Sequence, residues 1–212
     1  MKLKVLFYVL IGNIISMGCV KKQKENESLS VIERLLKGNE NFQHFAPSHP
    51  DQDRKRLLEV AKGQHPMAIV ITCSDSRVSP ELIFDQGIGD LFVIRTAGHA
   101  VSDYELASIE YAVEHLNVKD IVVLGHESCG AIKTFIEHPK DSLPKHINHL
   151  IDYFRHEKEE ELPLKHHCLN EAIFANVNHT VKIIRDNFDS EHLNIYGMFY
   201  KLESGKVEFV KQ

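Results

Sequence analysis

The chain of 212 residues has no tryptophan, only four cysteines, and no apolar run long enough to cross a bilayer comfortably. Positive charge is also short: 25 Lys and Arg stand against 30 Asp and Glu, a net charge of −5. That balance offers no basic face for nucleic acid. None of the cysteines forms a Cys-x-x-Cys pair, which disfavours a redox thiol protein. Internal repeats and low-complexity segments are missing as well. What is present, 43% hydrophobic and 26% charged residues, is ordinary for a soluble globular chain long enough to bury one sizeable core.

Two short segments carry most of the chemical information. They are Cys73-Ser74-Asp75-Ser76-Arg77 and His126-Glu127-Ser128-Cys129-Gly130. Each follows an apolar run rich in β-branched residues, 67–72 and 121–124, which reads as a buried parallel strand. Both segments are therefore expected at the carboxyl ends of neighbouring strands, where open α/β sheets place their ligand crevices. Two thiolates and one imidazole, from Cys73, His126 and Cys129, suit Zn2+ and leave one tetrahedral position open. A lone His-x-x-Cys is more often packing than a metal site. Here the first cysteine comes with an Asp two residues on and an Arg four residues on, and a scaffold needs neither.

On these motifs the chain resembles the β-class carbonic anhydrases. The family's Cys-x-Asp-x-Arg stands at 73–77 and its His-x-x-Cys-Gly at 126–130; between them, residues 84–99 are similar to its connecting Gly-Asp-x-Phe-Val-x-Arg stretch, here Gly89 to Arg95. The similarity extends from about Leu29 to the C-terminus and includes Asn176-Val177 and the Tyr196-Gly197-x-x-Tyr200 segment. The resemblance implies an α/β fold, a central mostly parallel sheet flanked by helices, with one Zn2+ per subunit. It implies reversible hydration of CO2 to bicarbonate by zinc-bound hydroxide, with Asp75 orienting that nucleophile and Arg77 holding Asp75 ionised. Asp75 is alternatively a fourth zinc ligand in a closed state. Gln86 is expected to bind bicarbonate across a homodimer or higher homo-oligomer, its N-terminal helix reaching to a second subunit. Gly130 is expected beside the substrate, where backbone approaches the metal loop closely. His99 reads either as a proton shuttle or as a surface histidine. The family's bicarbonate-regulated members use a Trp in an inhibitory pocket, and Phe42 stands near that position, which favours the unregulated type. Rival readings are a zinc hydrolase acting on CS2 or COS and a non-catalytic zinc- or bicarbonate-binding lipoprotein.

The first 28 residues are of another kind. Lys2 and Lys4 precede an apolar run of 13 residues, 5–17, closed by Gly18-Cys19, which is the layout of a bacterial secretion signal with a lipobox-like end. The expected organisation is a signal peptide at 1–18, a lipidated Cys19 with a polar tether at 19–28, and the catalytic domain at 29–212. Such a protein is exported and held at a membrane surface by its lipid, on the periplasmic or cell-surface side.

Along the domain, Ser30 with Glu33 predicts a capping box, and 54–61 a second helix. Ser79-Pro80 opens a short helix, 91–94 is a strand, and Asp103 is expected to cap a helix over 104–116 with an apolar stripe at Leu106, Ile109, Ala112, Val113 and Leu116. Helices follow from Gly130 to near Pro139, from Pro144 on, and over 170–188, and 194–201 and 206–210 form a hairpin-like close. Cys168 is expected half-buried at a helix start. His166 and His167, adjacent on a helix, do not converge on a metal, and the acidic run 157–161 reads as a solvated face.

Overall fold

The computed structural model describes residues 29–138, 143–156, 168–188 and 191–211. The leader with Cys19, the acidic run 157–161, and His166 and His167 lie outside the described residues. Backbone packing divides the chain into units Met1–Arg34 and Leu35–Gln212. In the first, Leu29–Arg34 are described. There Ser30 and Glu33 form the expected box: Ser30 N and Oγ donate to Glu33 Oε2 at 2.9 and 2.6 Å, and Glu33 N donates to Ser30 Oγ at 3.4 Å.

The element order is α1 (Val31–Gln43), α2 (Arg54–Val60), β1 (Ala68–Cys73), α3 (Pro80–Ile83), β2 (Leu91–Thr96), α4 (Asp103–Leu116), β3 (Asp120–His126), α5 (Gly130–Glu137), α6 (Lys145–His156), α7 (Leu169–Asn187), β4 (Asn194–Tyr200) and β5 (Val207–Phe209), with a 3-10 turn at Ala97–His99 after β2. The five strands lie in the order β2-β1-β3-β4-β5. All pairs are parallel except β4 with β5. Strand β1 is buried along its whole length and β3 from Ile121 onward, as a sheet covered on both faces requires. Side chains such as Ile69, Ile71, Ile121 and Leu124 are fully enclosed, each contributing about 1.5–3 kcal/mol relative to exposure.

Helix α7 lies on β3 and β4. Its buried residues, Ala172, Ile173, Asn176, Val177, His179, Thr180, Val181 and Ile184, lie on one face of the helix and form one stripe. Val177 fits against two glycines of the sheet. A β-carbon built on Gly125 would sit 2.5 Å from Val177 Cγ2, and one on Gly197 would sit 3.0 Å from Val177 Cγ1. The absent side chains at 125 and 197 are what let α7 lie so close.

Several local expectations are corrected. The cap of α4 is Ser102 rather than Asp103: Ser102 N donates to Glu105 Oε2 at 2.9 Å, a second capping box. The strands run further than the apolar runs suggest, to Cys73, Thr96 and His126, because the backbone ladder continues past the last β-branched side chain. Cys168 is exposed, not half-buried, since it is the cap residue preceding the stripe that begins at Ala172. His99 is 1% exposed, not a surface histidine. Gly130 has open space around it, with nothing within 4 Å of a β-carbon built there, so no close backbone approach explains that glycine. Among the glycines next to the two motifs and their connecting turn, crowding falls instead on Gly98 and Gly125.

Candidate metal centre

The strand order reverses direction between β1 and β3: the chain leaves β1 for β2 on one side and crosses back past β1 to reach β3 on the other. The carboxyl ends of those two strands flank the crevice where such sheets bind ligands. Thr72 pairs with Leu124 at the last rung. Cys73 thus ends β1, His126 ends β3 two residues beyond that rung, and Cys129 caps α5.

The three side chains converge. Their ligating atoms lie within 4.8 Å of one another, all buried, and among the described residues they form the one such group of three or more. Cys73 Sγ and Cys129 Sγ are 4.0 Å apart; tetrahedral zinc with bonds of about 2.3 Å places two sulfurs about 3.8 Å apart. His126 Nδ1 lies 2.8 Å from the Glu127 carbonyl. A carbonyl only accepts, so Nδ1 carries the proton and Nε2 keeps its lone pair. That Nε2 is buried and has no hydrogen-bond partner, a cost that a bound cation removes. The thiols tell the same story. Through the hydrogen bond between them Cys73 is driven toward its thiolate while Cys129 is held as the thiol, because two adjacent bare anions would repel. A divalent cation in place of the shared proton lets both ionise.

Beside this group, Asp75 and Arg77 form a fork. Arg77 Nε donates to Asp75 Oδ1 at 2.9 Å, Nη2 to Oδ2 at 2.7 Å, and Arg77 N to Oδ1 at 3.0 Å. This pairing holds the Asp75 carboxyl far below the usual carboxylate range, against the opposing effect of its partial burial. Asp75 Oδ2 lies 3.9 Å from His126 Nε2. Arg77 Nη2 also donates to the Ser128 carbonyl at 3.3 Å, tying the first motif to the second. Ser128 has φ 55, a left-handed turn that brings Cys129 back toward Cys73.

Other functional positions were passed over in the sequence. Arg95, the last residue of the connecting stretch, donates from Nε to the Cys73 carbonyl at 3.2 Å and from Nη2 to the Asp75 carbonyl at 2.8 Å, so it fixes the backbone of the first motif. Gly98 N donates to Cys73 Sγ at 3.3 Å. At φ 63, and with a built β-carbon only 2.7 Å from Phe154 Cζ, that position admits glycine alone without strain. Gln86 is buried outside the ligating group, its amide donating to the Phe84 carbonyl at 2.5 Å. Gly130 directly follows Cys129 as the first residue of α5.

The carbonic anhydrase family model matches residues 68–207, which takes in both motifs and strands β1 to β4. The chain belongs to the β-class carbonic anhydrase family. Carbonic anhydrase 2 of Mycobacterium tuberculosis is 55% identical over 98 residues, covering 46% of this chain and 47% of that protein. A carbonic anhydrase of Synechococcus elongatus is 34% identical over 188 residues, covering 79% of this chain and 68% of the other. The chain spans about half the length of the mycobacterial relatives it matches. Among solved structures, the Coccomyxa β-carbonic anhydrase in complex with acetazolamide superposes with a TM-score of 0.65 at 28% identity, over 87% of this chain and 88% of that one. Within the β-class frame, the mostly parallel sheet and its flanking helices are the expected architecture.

Proposed function

We propose that this protein catalyses the reversible hydration of CO2 to bicarbonate and a proton, with Zn2+ held by Cys73, His126 and Cys129. The observation that carries this reading is the position of the Asp75–Arg77 fork directly beside a buried Cys2His set whose imidazole nitrogen lacks a partner. When bound there, zinc supplies a water acidic enough to lose its proton near neutral pH. The chain's own groups do the rest. Asp75 Oδ2 accepts a hydrogen bond from the attacking oxygen and turns its lone pair toward CO2. Arg77 occupies both carboxylate oxygens, which keeps Asp75 ionised and supports its role as an orienter in an open site rather than a fourth ligand. Glu127 fixes the imidazole tautomer through its carbonyl, and Arg95 holds the loop that carries Asp75.

Gln86 is proposed to reach bicarbonate only in a homodimer. The features favouring a second copy are α2, which buries none of its residues and leaves Leu57 and Leu58 half or more exposed, and Phe45, 95% exposed. Stopped-flow hydration of CO2, run beside hydrolysis of CS2 and COS, tests the substrate. Turnover of CO2 far above the other two is the expected outcome, and preference for CS2 or COS would replace this reading with a zinc hydrolase.

The place of action is a separate proposal that rests on the leader alone. Two lysines, an apolar run and Gly18-Cys19 support export and acylation of Cys19, which would put CO2 and bicarbonate exchange beside the membrane that CO2 crosses and bicarbonate does not. Among the described residues no helix is long and apolar enough to cross a membrane. Cys19→Ser is expected to release the protein from the membrane fraction or leave an uncleaved precursor, with unchanged zinc content. Recovery of the unaltered protein in the cytosol with Met1 intact would refute export.

A further inference from the structure

Asn176 is a buried amide in a helix stripe otherwise built mainly of apolar side chains. It is 1% exposed, between Ile173 and Val177, both fully enclosed. Placing an amide there costs free energy unless its hydrogen bonds are satisfied. Its Nδ2 spends both protons on one turn, more than seventy residues earlier in the chain: it donates to the Gly98 carbonyl at 2.8 Å and to His99 Nε2 at 2.7 Å. An amide nitrogen has no lone pair to offer, so His99 Nε2 is the acceptor and the neutral ring carries its proton on Nδ1.

That turn, Ala97–His99, has left-handed backbone at both Gly98 (φ 63) and His99 (φ 47). Such a conformation in a non-glycine residue persists only when its surroundings impose it. Its product is the aim of one peptide N–H, that of Gly98, at Cys73 Sγ. Asn176 grips the carbonyl and the ring immediately after that N–H, and Gly98 itself is packed against Phe154 and Ala131 on its other side.

We infer that Asn176 is a positioning residue for the metal centre: by clamping Gly98 and His99 it keeps the Gly98 N–H directed at the Cys73 sulfur. This rests on the metal-site reading above and gives Asn176, and the buried His99, a role that a generic core asparagine lacks. Groups one step removed from a metal's ligands typically change affinity by roughly 10–100-fold when removed. A hydrogen bond to a thiolate also withdraws charge from sulfur, so its loss moves sulfur-to-metal charge transfer to lower energy.

The test uses the full chain loaded with Co2+ for spectra and titrated with Zn2+ against a chromophoric chelator. Asn176→Ala and the near-isosteric Asn176→Asp, which removes the donor and keeps the shape, are expected to weaken zinc binding roughly tenfold or more and to shift the sulfur-to-cobalt band to longer wavelength. Asn39→Ala is the control, because Asn39 is an equally buried amide that bonds Ile83, Gly205 and Val207 away from the ligands. It should lower thermal stability yet leave band and affinity at wild-type values. Wild-type band and affinity in both Asn176 variants, or an equal shift in Asn39→Ala, would overturn the inference while leaving the metal site standing. A wild-type chain that takes up no metal would overturn both. Should a variant not fold, cadmium-113-loaded wild-type protein decides: a scalar coupling from the Gly98 amide proton through sulfur to cadmium is expected, and its absence refutes the clamp.

Discussion

Gly125 stands one residue before His126 in β3, and its missing side chain is occupied by its neighbours. A β-carbon placed there would lie 2.5 Å from Val177 Cγ2 and 3.2 Å from Ile173 Cγ2, well inside the 3.5–4.0 Å optimum for carbon contacts. Neither the strand nor the helix yields easily, since the strand is hydrogen-bonded on both sides and Val177 is fully buried. Gly125→Ala should therefore cost about 1–3 kcal/mol, the usual range for overpacking. For a chain of this size that lowers the melting temperature by about 2–4 °C per kcal/mol. Because the strain falls beside His126, zinc affinity should drop too. Val177→Ala alone removes two buried carbons and should cost about 1.5–3 kcal/mol. In the double variant the 2.5 Å contact with Val177 is gone and only the milder one with Ile173 remains, so the combined loss should fall short of the sum of the two single losses by about 1 kcal/mol or more. Thermal melts followed by circular dichroism at fixed zinc concentration measure all four proteins. Strict additivity, or a Gly125→Ala melt equal to wild type, would show that the glycine is not there to admit Val177.

Two further outcomes follow from the carboxylates. Asp75→Asn should retain zinc and lose CO2 hydration by roughly 10²-fold or more, measured by metal analysis and stopped-flow on one preparation; near-normal turnover would remove the Asp75–Arg77 fork from catalysis. Asp85 accepts from Ser48 N (2.7 Å), Ser48 Oγ (2.8 Å), His49 N (3.0 Å) and Asn41 Nδ2 (3.0 Å); burial pushes its carboxyl up, yet these donors outweigh that and leave it below its ordinary value. A depressed folded pKa contributes stability that is complete above the unfolded value near 3.9 and is lost as pH falls through the lower folded one. Asp85→Asn should hence cost about 1–3 kcal/mol at neutral pH and progressively less below about pH 4, as read from urea unfolding across pH, whereas a pH-independent difference would contradict the assignment.

The sheet and the ligating trio were legible because they are written locally. Apolar β-branched runs mark β1 and β3, and motif residues at their ends need only strand adjacency to meet. What escaped depends on distant partners or on backbone shape. Ser102 and Asp103 are both good caps, and Glu105, three residues after Ser102, was the available signal that chooses Ser102. The buried ring of His99 is bonded by Asn176 on a helix far along the chain, which no local pattern announces. Gly98 serves a thiolate through its N–H, and a glycine's use as a donor leaves no trace in residue type. Gly130 misled in the opposite sense: its place in a motif suggested crowding, while the space around it is open.

The most direct test of a zinc centre built from Cys73, His126 and Cys129 measures metal content and CO2 hydration together, on the purified protein and on Cys73→Ala, His126→Ala and Cys129→Ala. The expected result is about one zinc per chain with rapid hydration in the unaltered protein, and loss of most zinc together with all measurable turnover in each variant. Full zinc occupancy with retained hydration in any one of the three would contradict the proposed ligand set.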